Sequence, residues 1–470
     1  MRKEYIQKLV DLMEYDAMLI CPGEELLFFT GFTPMQCERF QGLFVKKDGS
    51  YQRAIFQLNG SDSVVSNCWI NGIGTKTCMD GYGHPAGCAT AGLITHCRFT
   101  GNSSSNGGGG ATLGVNLFRL SGTARMRNSI FSGNTISGNS KGHLAGVMSL
   151  MGSAEMENCV VYGNYVVDNG NTTYSGRYCG GVFVRSGTPV IRNCIIRNNT
   201  MSAEGETTTH SQEADIYVAS SANPVIENCN FPEGQVPECA ANCQTDNPKF
   251  TDADKDDFSI AADSSCVDAG AYQNWQVYAT DYAGSHRYQG EAVDIGAYEV
   301  AQASTPLTIH DIELSGEVWG KERAATVKLQ SYVAGDFGDA TYSWYTSDPR
   351  KGAVSPIATG NGVACTFSDA GTHTVYLKVE KEGGETVYGV AEQQVFIVQG
   401  ADLYVSGTGN DDNAGTTIDA PFKTFEKAIE TAKTMSGITK IRVVGTVAEI
   451  QNNYAIDNVE IFGEGRNGND

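Results

Sequence analysis

One phrase recurs along much of this 470-residue chain: an apolar pair, a polar pair ending in Asn-Cys, more apolar residues, then Gly-Asn or Asn-Asn. Its first clear copy reads Val64-Val65-Ser66-Asn67-Cys68-Trp69-Ile70-Asn71-Gly72. Others surround Cys97, Ser129, Cys159, Cys194 and, in frayed form, Cys229, at intervals of 29, 32, 30, 35 and 35 residues. A period of this size constrains the fold more than any local feature does. Each repeat is too short to bury its own apolar face and must stack on its neighbours.

The copy at 180–200 shows the unit most clearly, as three short β-rich runs at 181–185, 189–192 and 194–197 separated by Ser, Gly, Pro and Asn. Stacked as parallel strands, such units close a continuous core, which predicts a right-handed parallel β-helix over 51–300. Equivalent side chains of successive coils then lie about 4.8 Å apart. Cys68, Cys97, Ser129, Cys159, Cys194 and Cys229 are therefore expected to form an internal ladder at a tight bend. Ser129 breaks the strict pairing that a disulfide framework would need, so buried free thiols are the expectation. Asn67, Asn128, Asn158, Asn193 and Asn228 are expected to stack beside them in the left-handed conformation that Asn tolerates. Gly-, Ser-, Thr- and Asn-rich insertions at 75–91, 102–111, 137–144, 169–178 and 201–213 fall between the same rungs, which should place them on one side of the solenoid. Cys78 and Cys88, in the first insertion, are a candidate loop cross-link.

Outside the repeat the periodicity changes. Residues 1–48 combine helical spacing (Ile6, Leu9, Val10, Leu12, Met13) with strand-like runs at Ala17-Met18-Leu19-Ile20, Leu26-Leu27-Phe28-Phe29 and Gly42-Leu43-Phe44-Val45. Alternating runs between 307 and 398, with a central Trp344, predict an immunoglobulin-like β-sandwich after the linker 301–306. From 402 a strand, a loop, a helix over 421–434 and two further strands read as the cap and first coils of a second β-helix, so that the chain reads as a fragment of a longer protein. The expected fold class is thus mainly β: solenoid, then sandwich, with a short truncated α/β segment at the start.

Three stretches resemble known families. Asp246-Asn247-Pro248-Lys249-Phe250, Asp257-Phe258-Ser259-Ile260, Ser264-Ser265-Cys266-Val267-Asp268-Ala269-Gly270 and Val293-Asp294-Ile295-Gly296-Ala297-Tyr298-Glu299 resemble the ending of bacterial parallel β-helix surface proteins with a choice-of-anchor Q domain. That resemblance implies a closing coil and cap with no catalytic set. Asp369-Ala370-Gly371-Thr372-His373-Thr374-Val375-Tyr376-Leu377 resembles PKD-type domains, which implies an extracellular spacer. Glu25-Leu26-Leu27-Phe28-Phe29-Thr30-Gly31-Phe32 with Arg39-Phe40 resembles the creatinase/prolidase-like N-terminal domain of Xaa-Pro peptidases. The metal-binding peptidase domain that would follow in that family has no counterpart after residue 50, so peptidase activity is not expected, and the abrupt change near Ser50 suggests a fusion or assembly join.

The residues offer little chemistry. Arg98, Arg119, Arg125, Arg127, Arg185, Arg192 and Arg197 line the repeat with few carboxylates beside them, and His84 and His143 are isolated. Asp252-Ala253-Asp254-Lys255-Asp256-Asp257 alternates like a Ca²⁺ loop but has Asp257 where Gly is required and Asp263 where Glu is. It reads as a solvated turn, as does 407–415 with Asp411 and Asp412. No catalytic, cofactor-binding or metal-binding residue is therefore assigned. The net charge of −21 argues against nucleic acid and anionic membranes as partners, and no apolar run reaches the ~20 residues of a membrane span. Met1-Arg2-Lys3 is followed by charges that interrupt any signal-peptide core. The expectation is a secreted or cell-surface protein that binds a polysaccharide, glycan or host-surface ligand, with Tyr82, Tyr174 and Tyr178 of the insertions available to stack on sugars. The alternative is a polysaccharide lyase or glycoside hydrolase of the same fold.

Overall fold

The structure is a computed structural model and describes residues 17–20, 43–46, 51–52, 57–71, 74–76, 87–106, 116–138, 146–168, 179–203, 214–320, 324–397, 400–435, 439–448 and 459–463. It divides into two compact units, 1–306 and 307–470.

The first unit is a parallel β-solenoid whose coils each contribute to four sheets. Sheet A stacks Gln57–Leu58, Gly87–Ala89, Asn116–Leu120, Gly146–Gly152, Val182–Gly187 and Ile216–Val218. Sheet B stacks Val64–Ser66, Leu93–Thr95, Arg125–Arg127, Glu155–Glu157, Val190–Arg192, Val225–Glu227 and Ala240–Ala241. Sheet C holds Trp69–Asn71, Arg98–Thr100, Ile130–Ser132, Val160–Tyr162 and Ile195–Arg197. Sheet D holds Gly74–Lys76, Ser103–Asn106, Thr135–Gly138, Tyr165–Asp168 and Thr200–Ala203. The repeat thus carries four strands per coil, one more than the sequence suggested, because the residues after the closing Gly-Asn or Asn-Asn supply a strand of their own, as Thr200–Ala203 does.

The three-residue strands of sheets B and C turn only their central side chain inward, which follows from the two-residue period of a strand. Val65, Ile94, Met126, Met156, Ile191 and Ile226 form one interior column, and Ile70, Phe99, Phe131, Val161 and Ile196 another. Phe99 and Phe131 stack at 4.2 Å between ring centroids, and Phe118 of sheet A meets both edge-on.

The bends explain the recurring phrase. Between sheets B and C the chain turns through a left-handed residue at Asn67, His96, Asn128, Asn158, Asn193, Asn228 and Asn242, with φ between 45° and 55°. The residue after it points inward, so Cys97, Ser129, Cys159, Cys194 and Cys229 lie fully buried in one column, which Cys68 begins and Cys243 extends. Each sulfur or hydroxyl donates to the carbonyl two residues back, as in Cys159 Sγ to Glu157 O at 3.2 Å and Ser129 Oγ to Arg127 O at 2.8 Å. The expected thiol ladder is present.

The expected stacking of the corner asparagines is met in one pair, Asn193 Nδ2 donating to Asn158 Oδ1 at 3.5 Å, but most of their hydrogen bonds go elsewhere. Their left-handed backbone turns the amides away from the core, where they bind the 268–297 segment: Asn128 Nδ2 to Thr280 O at 2.8 Å, Asn158 Nδ2 to Asp294 O at 3.0 Å and Asn228 Nδ2 to Ala269 O at 3.0 Å. The continuous amide ladder lies one bend later. There Gly101, Gly133, Gly163 and Asn198 take the left-handed conformation, and Asn102, Asn134, Asn164 and Asn199 point inward. Asn102 donates from Nδ2 to Asn134 Oδ1 at 2.9 Å, Asn134 to Asn164 at 2.8 Å, and Asn164 to Asn199 at 2.7 Å. Asn199 in turn donates to Asp215 Oδ1 at 2.7 Å.

Residues 236–300 were expected to close the solenoid as its last coil and cap. Only Ala240–Ala241 and the bridge at Gln244 continue the stack. The rest folds back along the outside of the coils. Ile130, Val160 and Ile195, whose side chains leave sheet C outward, are buried beneath Phe258, Ile260, Cys266, Ile295 and Ala297. The approach is close enough that a Cβ on Gly296, at φ +112°, would lie 2.8 Å from Ile195 Cδ1.

At the start of the chain Ala17–Ile20 and Leu43–Lys46 are strands, as the runs there predicted, and they pair antiparallel. The helix expected before it and the strand at 26–29 lie outside the described residues.

In the second unit Thr308–Gly316, Ala325–Ala334 and Val363–Phe367 form one antiparallel sheet, and Ala358–Thr359, Ala340–Tyr345, Tyr376–Lys381 and Thr386–Val390 another. They face each other across Val327, Leu329, Trp344, Leu377 and Val379. Trp344 is fully buried and satisfies its indole N–H on Gly360 O at 2.8 Å. Further along, Asp402–Val405, Thr439–Val443 and Val459–Gly463 pair in parallel. Helix α1 (Phe425–Lys433) packs Ala428, Ile429 and Ala432 on Leu403, Val405 and Ile441.

Candidate functional site

Most charged side chains singled out in the sequence are engaged in holding the solenoid together. On the outer face of sheet B, Arg127 Nε lies 3.0 Å from Glu157 Oε2, Arg192 Nη1 3.1 Å from Glu157 Oε1, and Arg192 Nε 2.5 Å from Glu227 Oε1. Arg127 also lies over the Trp275 ring at 4.3 Å. The carboxylates that seemed missing beside these arginines stand one coil away, in register, where a linear reading does not look. Arg98 meets Asp256 at 3.3 Å, and Arg197 donates to Asn230 Oδ1 at 2.8 Å and to Thr245 O at 3.2 Å. Arg119, Arg125 and Arg185 are half-buried on sheets A and B and join no such cluster among the described residues.

The acidic run 252–257 forms a turn. Asp252 caps a short 3₁₀ turn by accepting from Lys255 N, Asp256 accepts from Ser132 Oγ at 2.9 Å, and Asp257 accepts from Ser259. Asp411 accepts from Lys423 N, Thr424 N and Thr424 Oγ1, and so anchors the start of helix α1. His84, His143, Tyr82, Tyr174, Tyr178 and the candidate partner of Cys88, Cys78, lie outside the described residues.

Reading along the sequence missed a dense group of carboxylates, Asp268, Asp281, Asp294 and Glu299 around Arg287. Arg287 and Glu299 are fully buried and 3.1 Å apart. Asp294 accepts from Asp268 N at 2.8 Å and Val300 N at 2.7 Å, while Glu299 Oε1 accepts from Asp294 N at 2.8 Å. Asp281 Oδ2 accepts from Glu299 N at 2.9 Å. Burial pushes Asp294 up to about 6 and Glu299 well above its ordinary range. Largely buried and held by several backbone donors, the group folds the 268–300 segment upon itself, with Arg287 Nε and Nη1 and Glu299 Oε2 left without a hydrogen bond among the described residues. The acidic residues inside the apolar Val293–Glu299 motif were the available signal.

Two kinds of surface remain. On the sandwich, Tyr388 is 40% exposed with Arg350 above its ring at 5.9 Å. It lies opposite Lys378 in register, and Tyr376 opposite Val390. The other surface is the corner between sheet D of one coil and sheet A of the next. Every insertion leaves from a sheet D strand and returns to a sheet A strand: after Lys76, Asn106, Gly138, Asp168 and Ala203, and before Gly87, Asn116, Gly146, Val182 and Ile216. Because those strands pair in parallel and in register, the five departures stack along one edge.

No known family and no curated protein matches the sequence. Among solved structures the chain has a weak likeness to a chitinase, ChiW of Paenibacillus sp. str. FPU-7, described as a bacterial cell-surface-expressed multi-modular enzyme. The identity is 11% and the TM-score 0.15, over 83% of this chain and 32% of the other, so the chain spans about a third of that protein's length. At such a TM-score the likeness carries no argument about this chain.

Proposed function

We propose that this chain is a non-catalytic β-solenoid binding protein of the cell surface or exterior that presents the insertions of its D-to-A corner to a polysaccharide or glycan. The observation that carries this reading is the register of the strands flanking the five Gly-, Ser- and Asn-rich insertions, which stacks the points where the chain leaves and returns along one edge. A row of that kind suits an extended, repeating ligand, since adjacent coils repeat every ~4.8 Å. Sugar stacking falls to Tyr82, Tyr174 and Tyr178. In the same reading, 236–300 is a choice-of-anchor Q-type ending, 307–398 a PKD-type spacer, and 1–48 a creatinase/prolidase-like segment without its metal-binding domain.

The test is a polysaccharide and glycan array probed with the labelled full chain, beside a variant whose 169–178 segment is replaced by Gly and Ser. Retention on one glycan class, weakened at least tenfold in the variant, is expected. New reducing or unsaturated ends after incubation with pectins, alginates or glycosaminoglycans would replace this reading with that of a polysaccharide-cleaving enzyme.

A further inference from the structure

The thiol column is fully buried except at its two ends, Cys68 and Cys243. Cys97, Cys159, Cys194 and Cys229 are fully buried, but Cys68 is only partly covered. Its coil is open: Val64 is 58% exposed, Trp69 40%, and Ser66 and Asn67 are exposed as well. Cys68 therefore meets solvent with a second thiol directly beneath it.

Register fixes that second thiol as Cys97. Val65 pairs with Ile94 and Ser66 with Thr95 before the bend, and Trp69 pairs with Arg98 after it. Asn67 and His96, which precede the two cysteines, turn through the same left-handed conformation at φ 54° and 53°. Both side chains thus leave in one direction from Cα atoms about 4.8 Å apart, inside the 4.4–6.8 Å that a disulfide spans. Both thiols donate within this same bend, Cys68 Sγ to Ser66 O at 3.3 Å and Cys97 Sγ to Thr95 O at 3.3 Å and to Val65 O of the first coil at 3.7 Å. Stacked Cβ atoms must still approach by about 1 Å to reach the mean disulfide separation. The first coil can supply that movement, because among the described residues its sheet B and sheet C strands are at the edge and pair on one side only.

The column also isolates the pair. Below Cys97 the next rung is Ser129, whose hydroxyl accepts from Cys97 N at 3.1 Å. A disulfide formed at the top finds no third thiol to exchange with in the rung beneath.

We propose that Cys68 and Cys97 are a peroxide-reactive dithiol that closes to a disulfide and staples the first coil of the solenoid to the second. The Cys68 thiolate attacks a hydroperoxide oxygen, forming an S–O bond as the O–O bond breaks and one water (or alcohol) leaves with a proton. The Cys97 thiol then attacks the resulting sulfenic sulfur, forming the S–S bond and releasing a second water. Two thiols lose two electrons, and the peroxide takes them. Exposure sets this division of roles: Cys68 is open to solvent and to an incoming peroxide, while Cys97 is fully buried and its thiol is pushed up, with the Cys68 thiol shifted down beside it. Cys68 is the attacking sulfur and Cys97 the resolving one.

The experiment treats the native full chain with hydrogen peroxide at pH 7, blocks remaining thiols with iodoacetamide after denaturation, and maps the peptides by mass. A Cys68–Cys97 cross-linked peptide is expected, with loss of about two thiols per chain, while Cys159 and Cys194 stay alkylatable. Cys97→Ser should leave Cys68 as a sulfenic acid captured by dimedone, and Cys68→Ser should abolish thiol loss at Cys97. Circular dichroism of both variants reports whether the fold is kept, and the unmodified chain gives the decisive map without them. A Cys68 that stays alkylatable after peroxide, or links to a cysteine other than Cys97, overturns the proposal.

Discussion

Asn164 accepts from Asn134 Nδ2 and donates both to Phe131 O at 3.1 Å and to Asn199 Oδ1 at 2.7 Å. A buried amide with every group engaged rigidifies the bend, and the ladder continues through successive coils until it meets a carboxylate. That carboxylate is Asp215, almost completely buried, with Oδ2 lacking a hydrogen-bond partner among the described residues. Burial pushes it up to about 6 against the hydrogen bonds from Asn199, which favour its charged form. Folded Asp215 therefore keeps its proton to a higher pH than an unfolded Asp, which loses it near 4. Between roughly pH 4 and 6 the folded state binds more protons, so stability falls as pH rises through that window. Asp215→Asn keeps the accepting oxygen and removes the buried charge. It should raise stability at pH 7 by about 2–3 kcal/mol and remove that part of the slope, as read from urea unfolding at pH 4, 5, 6 and 7. Asp294, also pushed up to about 6, should leave a residual slope of the same sign. A variant with the same pH profile as the parent would contradict this account.

The sheet is the unit at which the charges make sense. Within one strand, Arg125-Met126-Arg127 reads as unpaired positive charge, and Glu155-Met156-Glu157 as unpaired negative charge. Parallel in-register pairing sets Arg127 opposite Glu157 and Glu157 opposite Arg192, and so alternates the signs up the face. Glu157 is almost fully buried and shared by two arginines whose side chains are about one-sixth exposed, unlike the solvent-exposed pairs that contribute little. Glu157→Ala leaves both guanidinium groups without this partner and should cost roughly 3 kcal/mol in urea unfolding. A cost below about 0.5 kcal/mol would place the ladder among ordinary surface pairs. Helix α1 was readable in the sequence because its apolar spacing is local, but it begins four residues later than the expected 421, where Thr424 caps it by accepting from Lys427 N at 3.2 Å.

At the scale of the molecule, the return of 250–300 along the coils decides what is surface. Ile195 leaves sheet C on the outer side, yet it is fully buried beneath Ile295 and its neighbours. Ile195→Ala should therefore destabilise the chain by about 2–4 kcal/mol, as much as a residue of the solenoid interior, in denaturant unfolding. A change within 0.5 kcal/mol would mean that the segment does not cover the coils in solution.

The period, the parallel stacking, the left-handed asparagine bends and the thiol column were all legible in the sequence, because each depends on residues adjacent in the chain and repeated at each turn. The strand positions of 402–463 were legible for the same local reason. Three things were not. Nothing in Gly-Asn by itself says that this asparagine stacks inside while the one before Cys faces outward; the bend geometry decides it. The partners of the arginines and the closed carboxylate group around Arg287 are set by register and by contacts far apart in the chain. The path of 250–300 over sheet C was likewise invisible, since Ile130, Val160 and Ile195 became core only when a distant segment covered them. Local periodicity determined the coil, and long-range burial determined which faces of it remain available to bind.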